Sequence, residues 1–489
     1  MRLLAAILIS LLFGCPVAAQ GGATDLVIIN ADVRTLDSET PKAQALAVRR
    51  NRVIFVGSDA EARKLIGEGT RLIDAGGKLV MPGFNDSHVH FMAIGNKFSS
   101  LNARELQRPE ELYEQLRFYV RFLPKGRWIL GSGASKGLIA GIKATEIERI
   151  APDNPLFIYA ADPSEAIANP AAKRRAGLSD AKDSVTVREI ELARIARVVP
   201  ADHIRRWAEI AETASNYAAS YGITSVQDTD SDARADVYRE LAAAGKLKTR
   251  VYDCSSLSNW FAKQTTPLRE APEKMVRTGC LKGFHEGEDD WTPRLREQVL
   301  AADKSGWQVA VHAIGAKPNS IVLDIFEQAV RANGKRDRRF RIEHAEGIIA
   351  RDLRRLGELG VIASAQPHLF GRGAGYASGY YNDLVVNGAS AALGSDAPMA
   401  AFDPLLGLNF SGTPSGFSLI DSVRGYTFGA AYAEYTDAEK GKLLPGMLAD
   451  IVILSQNIFA STDLRIGGAK VEMTIVNGKV VYEKINTEK

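Results

Sequence analysis

Two histidines one residue apart, His88 and His90 in the run MPGFNDSHVH (81–90), are the residues of this chain best suited to chemistry. Side chains of an extended backbone alternate, so this spacing puts both imidazoles on one face. The stretch LVMPGF ahead of them is apolar and strand-like, which makes the extended reading natural. Two neutral imidazoles side by side are half of a transition-metal site. The pair alone is a weak signal, because such pairs arise by chance. Its meaning depends on whether other ligands arrive from elsewhere in the chain.

Further residues of the right kind recur near the ends of strand-like runs. Lys282 lies in LKGFHEG, His312 in QVAVHAIG, His344 in FRIEHAE and Asp396 in AALGSDA; with His88 and His90, four of the seven histidines of the chain occupy such positions. Each has an ordinary structural reading. A strand-end histidine is usually satisfied by its surroundings, Asp396 could cap a following helix, and Lys282 could pair with a carboxylate. Taken together, six such residues on five strands make coincidence the poorer account.

The elements that position them alternate. After MPGFNDSHVH come the strand-like runs 223–228, 250–254, 281–287, 308–315, 340–346, 361–368 and 391–397. Helical stretches such as 203–222 and 320–333 separate most of them, the first apolar at three- to four-residue spacing. Eight strands in this rhythm predict an α/β fold, a (β/α)8 barrel of the TIM type over 81–444, whose catalytic groups belong at the C-terminal strand ends. Residues 97–200 hold two further strand-like runs, WILGSG and PLFIYAA, and read as an insertion after barrel strand 1, a lid over the mouth. Short β-like runs over 20–80 and 445–489, including a hairpin around Asn477-Gly478, predict one small β-sandwich built from both chain ends.

Composition limits the classes. The 489 residues are 46% hydrophobic and 24% charged, with a formal net charge of +3, ordinary for a soluble globular protein. Nothing points to nucleic acid or an anionic membrane surface. The most basic stretch, GKRDRRFR (334–341), reads as a solvated turn entering a strand. Arg2, the apolar Leu3–Phe13 and the small residues Val17-Ala18-Ala19 predict a signal peptide over 1–19, hence an exported, periplasmic or secreted protein. A lipoprotein anchor at Cys15 fits less well, because Phe13 suits that motif poorly. Of the remaining cysteines, Cys254 closes RVYDC and Cys280 opens CLKGF. On neighbouring strands they would sit at opposite ends, which favours two free buried thiols.

The stretches PGFNDSHVH, GITSVQD, LKGFHEG, VHAIG, RIEHAE, SAQPH, GSDAP, LLPGMLADIVILS and TIVNGKVVY carry a resemblance. The chain resembles the metal-dependent amidohydrolases, specifically the YtcJ-like branch called amidohydrolase 3, from about residue 25 to residue 483. The resemblance implies one or two divalent ions, usually zinc (Zn2+). His88, His90 and Asp396 would hold a buried ion, His312 and His344 a more exposed one, and a carboxylated Lys282 would bridge them. A free ammonium between two dications would be strongly repelled. Lys282, Phe284 and Glu286 share one strand face, which leaves His285 facing the helices. The implied chemistry is hydrolysis of an amide-like C–N bond in a small molecule by metal-activated water, with Asp396 as the catalytic proton acceptor. A deaminase, an esterase or lactonase, and a catalytically decayed binding protein are the alternatives.

The sequence departs from the family pattern around the substrate. Where relatives carry Asp-Gly-His-Ser, this chain has Asp162-Pro163-Ser164-Glu165, with Asn169 retained. Glu288-Asp289-Asp290-Trp291 replaces a serine-rich loop, and Ala316 stands where aspartate is common. Gln366, His368 and Trp291 are candidate substrate contacts, with the loop GRGAGYASGYY (371–381) as a further wall. A small-molecule substrate is the partner expected, with no nucleic acid and no membrane span. Substrate identity and oligomeric state, including a homo-oligomer, stay open.

Overall fold

The computed structural model describes residues 23–484 other than 99, 179–183, 201–205, 230–233, 269, 373–379, 411–416, 461–465 and 467. The signal peptide expected over 1–19 falls outside the described residues, as do the side chains of 370–382. Eight parallel strands follow one another around a nearly closed barrel: β1 (Phe84–Val89), β2 (Ile223–Asp228), β3 (Arg250–Ser256), β4 (Val276–Phe284), β5 (Gln308–Ile314), β6 (Arg341–Glu346), β7 (Ile362–Ala365) and β8 (Ser390–Leu393). A parallel bridge between Val89 and Ala397 draws β1 towards the segment after β8. Strands β2 and β6 are buried along their whole length, one face against the barrel interior and the other against helices. Polar residues on the inner face therefore have to satisfy one another.

The outer helices follow the apolar spacing of the sequence. Ala316–Asn333 buries Val322, Phe326 and Ala329, and Trp207–Ser220 buries Ile210, Ala211, Ala214 and Ala218. Among the described residues no helix is long and apolar enough to cross a membrane.

Both chain ends build the second unit. A four-stranded sheet runs in the order Arg52–Gly57, Ala45–Arg49, Leu26–Ile29, Arg71–Asp74. A six-stranded sheet joins Lys479–Glu483, Val471–Val476 and Ile451–Leu454 to Leu79–Pro82, Asp32–Arg34 and Lys42–Ala43. Their facing side chains, Ile28, Leu46 and Val48 from one sheet and Val80, Ile451 and Ile475 from the other, form one buried cluster. Arg250 at the start of β3 clamps this unit to the barrel through both carboxylate oxygens of Asp450, with Nε–Oδ2 at 2.7 Å.

The insertion contributes a five-stranded sheet, Ser100–Asn102, Ile129–Ala134, Leu156–Ala160, Glu165–Ala168 and Thr186–Arg188, with helices such as Pro109–Val120. It is tied to the barrel's flank: Arg127 pairs with Glu209 at 2.7 Å, and Asn216 Nδ2 donates to Phe122 O at 2.9 Å. A lid would in addition have to reach the mouth.

Two expectations are corrected. Cys254 and Cys280 form a disulfide, not two free thiols. Strand β4 begins at Val276 rather than at Cys280, so Cys280 lies in mid-strand and pairs in register with Cys254. The basic run is not merely solvated. Arg338 is buried in a two-pronged pair with Asp303, and Arg341 is fully enclosed in the barrel.

Candidate metal centre

The site is built where β1, β4, β5, β6 and the segment after β8 converge. Strand β1 is irregular there: Asp86 pairs with Val226 but Val89 with Asp228, one extra residue on β1. This bulge lets Ser87 and His88 both face groups on β6 and β7. Ser87 Oγ lies 3.2 Å from Ser364 Oγ, and His88 Nδ1 lies 2.5 Å from Glu343 Oε2. Asp396 is held by its own N–H, which donates to His88 O at 2.8 Å, while His90 N–H donates to Ala397 O at 2.9 Å. Gly394 permits this approach, because a Cβ there would lie 2.5 Å from the His88 nitrogen.

Three site residues adopt left-handed backbone: His344 (φ 68°), Ala345 (φ 54°) and Asp396 (φ 58°). Non-glycine residues carry a steric cost in that region, and such strain gathers at functional sites. Its effect is readable at β6. Regular alternation would turn His344 away from the face that Arg341 and Glu343 share. The left-handed turn brings its ring back, to 4.4 Å from the His312 ring centre and 4.9 Å from that of His88.

The donor set fits a cation. Asp396 Oδ1 is buried without a hydrogen bond, 3.4 Å from His88 Nε2 and 3.5 Å from His90 Nε2. One ligand atom from each of the three residues lies within 4.8 Å of the others. Ligands of a tetrahedral ion with bonds of about 2 Å sit roughly 3.3 Å apart. His88 is oriented for this: with Nδ1 committed to Glu343, its Nε2 faces Asp396. Behind it, Arg341 Nε donates to Glu343 Oε1 at 2.7 Å and Arg341 also donates to Ser87 O at 2.6 Å and to Gln227. Burial opposes the charge on Glu343, but Arg341 and His88 hold its carboxyl well below the usual carboxylate range. Asp396 behaves alike: burial opposes ionisation, and His88 and His90 outweigh it.

His312 and His344 stand beside this triad as neutral imidazoles. Burial, with Lys282 and His88 nearby, pushes His312 down to about 4. Burial with His88 and His312 pushes His344 down to about 3. Lys282 is buried, its Nζ 4.5 Å from the centre of the Phe284 ring, and its charge bears on His88, His312, His344 and Glu343. Glu286 Oε1 lies 2.9 Å from His312 Nε2, an additional carboxylate at the open side. His285 points away, with Nε2 2.8 Å from Thr292 Oγ1.

The candidate substrate contacts are dispersed. His368 is buried with Nε2 2.9 Å from the Asp403 carbonyl, supporting the loop after β8. Gln366 is buried and donates to Ser364 O at 3.2 Å. Trp291 is 58% exposed just ahead of helix Thr292–Lys304. Asn169 is a structural residue: it caps helix Pro170–Arg175 and accepts from Leu156 N at 2.8 Å. Asp162 accepts from Ser164 N and Oγ in an exposed turn. Glu343, Arg341 and Gln227 were not singled out in the sequence. The available signal for Glu343 was its place immediately before His344.

Residues 71–482 match the model of the Amidohydrolase family. The chain belongs to that family. Protein LONG AFTER FAR-RED 3 of Arabidopsis thaliana is 31% identical to this amidohydrolase over 538 aligned positions, 94% of this chain and 92% of that protein. An N-substituted formamide deformylase of Arthrobacter pascens and the YtcJ protein of Bacillus subtilis are each 25% identical, covering 94% and 92% of this chain and 98% of their own lengths. Among solved structures, a metal-dependent hydrolase from Pyrococcus furiosus superposes with TM-score 0.61 at 23% identity, over 88% of this chain and 99% of that one. Atrazine chlorohydrolase from Arthrobacter aurescens TC1 complexed with zinc gives 0.56 at 16% identity, over 94% and 95%. The amidohydrolase thus shares the barrel fold of both.

Proposed function

We propose that this amidohydrolase cleaves an amide-like C–N bond, in an amide, carbamate or related small molecule, at a zinc-type centre held by His88, His90 and Asp396. The observation that carries the reading is the meeting of His88 Nε2, His90 Nε2 and Asp396 Oδ1 around one point, with His88 oriented by a buried carboxylate. The formamide deformylase similarity supports the choice of bond. A divalent ion bound there supplies Lewis acidity and lowers the pKa of a water towards neutrality.

The chain's own residues do the rest. Asp396, ionised and partly facing the site, orients a water, accepts its proton and passes it to the leaving nitrogen. Neutral His312 and His344, with Lys282 if carboxylated, would hold a second cation beside the first. Glu343 keeps His88 in the Nδ1–H tautomer. The Cys254–Cys280 bridge supports export of the protein, since disulfides persist in oxidising compartments.

A panel of N-formyl amines, carbamates, lactones and aminated heterocycles tests the assignment on zinc-loaded protein. Turnover of the first two classes, lost by about 10²–10⁴-fold in Asp396→Asn, is expected. Turnover confined to lactones or to deamination would replace the C–N assignment. Tight binding without turnover of any class would assign the site to ligand capture.

A further inference from the structure

A cavity of about 300 Å³ lies on the helix side of the segment that carries Asp396. Its walls come from four places: helix Phe91–Asn96 and its extension to Phe98, helix Pro109–Val120 of the insertion, the return helix Trp207–Ser220, and residues 397–403. None of the six metal-ligand candidates lines it. That volume lies at the lower end of small-molecule sites.

The lining has one dominant chemistry. Phe98, Phe118, Tyr119, Tyr217 and Tyr221 present aromatic surface, with Phe118 and Tyr217 edge-to-face at 5.6 Å and Tyr217 and Tyr221 at 5.0 Å. Such a box offers ring faces and edges to a flat guest. Two charged residues adjoin it. Asp403 is committed, its carboxylate accepting from Leu405 N at 3.0 Å and Leu406 N at 3.2 Å. Lys97 donates one hydrogen bond, to Pro398 O at 3.1 Å, and forms no ion pair among the described residues. An ammonium carries three donors, so Lys97 can meet an anionic group at the rim.

We propose that this cavity is a second small-molecule site, taking a one- or two-ring aromatic anion that stacks in the box and pairs with Lys97. The site is separate from the metal centre but touches it structurally. Ala397 and Pro398 line the cavity, and Ala397 O receives the N–H of His90.

The test is calorimetric titration of the full-length protein with 2-naphthoate and with neutral 2-naphthamide. Saturable binding of naphthoate is expected, equal in zinc-loaded and chelator-stripped protein. Lys97→Met should weaken naphthoate by about tenfold and leave naphthamide unchanged, as loss of a charge-assisted contact requires. Ala400→Trp, which fills the cavity from a partly exposed position, should abolish both. Unchanged thermal melting and zinc content show that the variants are folded. Absence of saturable binding, loss of binding with the metal, or undiminished binding in both variants would overturn the proposal.

Discussion

Glu343 sets how His88 presents itself to a cation. Its two oxygens are divided between His88 Nδ1 and Arg341 Nε, all without solvent. Replacing it by Gln keeps the shape but removes the charge that balances Arg341 and lets the ring choose either tautomer. Glu343→Gln should therefore weaken zinc binding by about 10–100-fold, measured by competition with a chelating dye. Unchanged affinity would reduce Glu343 to a packing residue. Of the residues picked from the sequence, His88, His90 and Asp396 bring ligand atoms within 4.8 Å of one another, and the rings of His312 and His344 pack beside them. Glu343 and Arg341 were not legible. A carboxylate one residue from a histidine looks the same whether it faces helix or barrel, and the left-handed turn at His344 that decides this leaves no mark in the sequence.

Strand β3 carries two features of different visibility. Cys254 pairs with Cys280 because β4 starts four residues earlier than its apolar run suggested, the polar VRTG stretch being strand as well. Asp253, on the same strand, is buried, and that burial with the nearby Asp228 pushes its carboxyl up to about 7. An unfolded aspartate titrates near pH 4. Below about pH 4 both states are protonated and the burial penalty is absent. Between about 4 and about 7 the folded state keeps a proton the unfolded state has released, so this group's effect on stability becomes less favourable as pH rises. Asp253→Asn should match wild type at pH 4 and exceed it at pH 8 by on the order of 4 kcal/mol in urea titrations. A difference independent of pH would contradict the buried-acid reading. Burial in the run 334–341 is likewise non-local. Arg338 is sheltered by Asp303, a residue of the helix Thr292–Lys304 that precedes β5, so its burial depends on a partner the local composition does not name.

At the scale of the molecule, the barrel and the terminal sheets are joined by the Arg250–Asp450 pair, both side chains 4% exposed, with Asn477 as a third member. Arg250→Met would leave Asp450 buried without its counter-charge, a loss of about 3–5 kcal/mol. Loss of denaturant resistance of that size is expected; a neutral outcome would mean that the two units adhere by apolar packing alone. The alternation of strands and helices and the β-rich ends made this architecture legible, since each run's period matches the face it buries. The cavity at the flank was not, because its walls come from four distant segments. The proposed hydrolysis depends on a cation held by His88, His90 and Asp396. Zinc stoichiometry by plasma mass spectrometry, on wild type and His90→Asn dialysed side by side, tests it most directly. Wild type should retain about one or two ions per chain and the variant about one fewer; equal stoichiometry in both proteins would contradict the site.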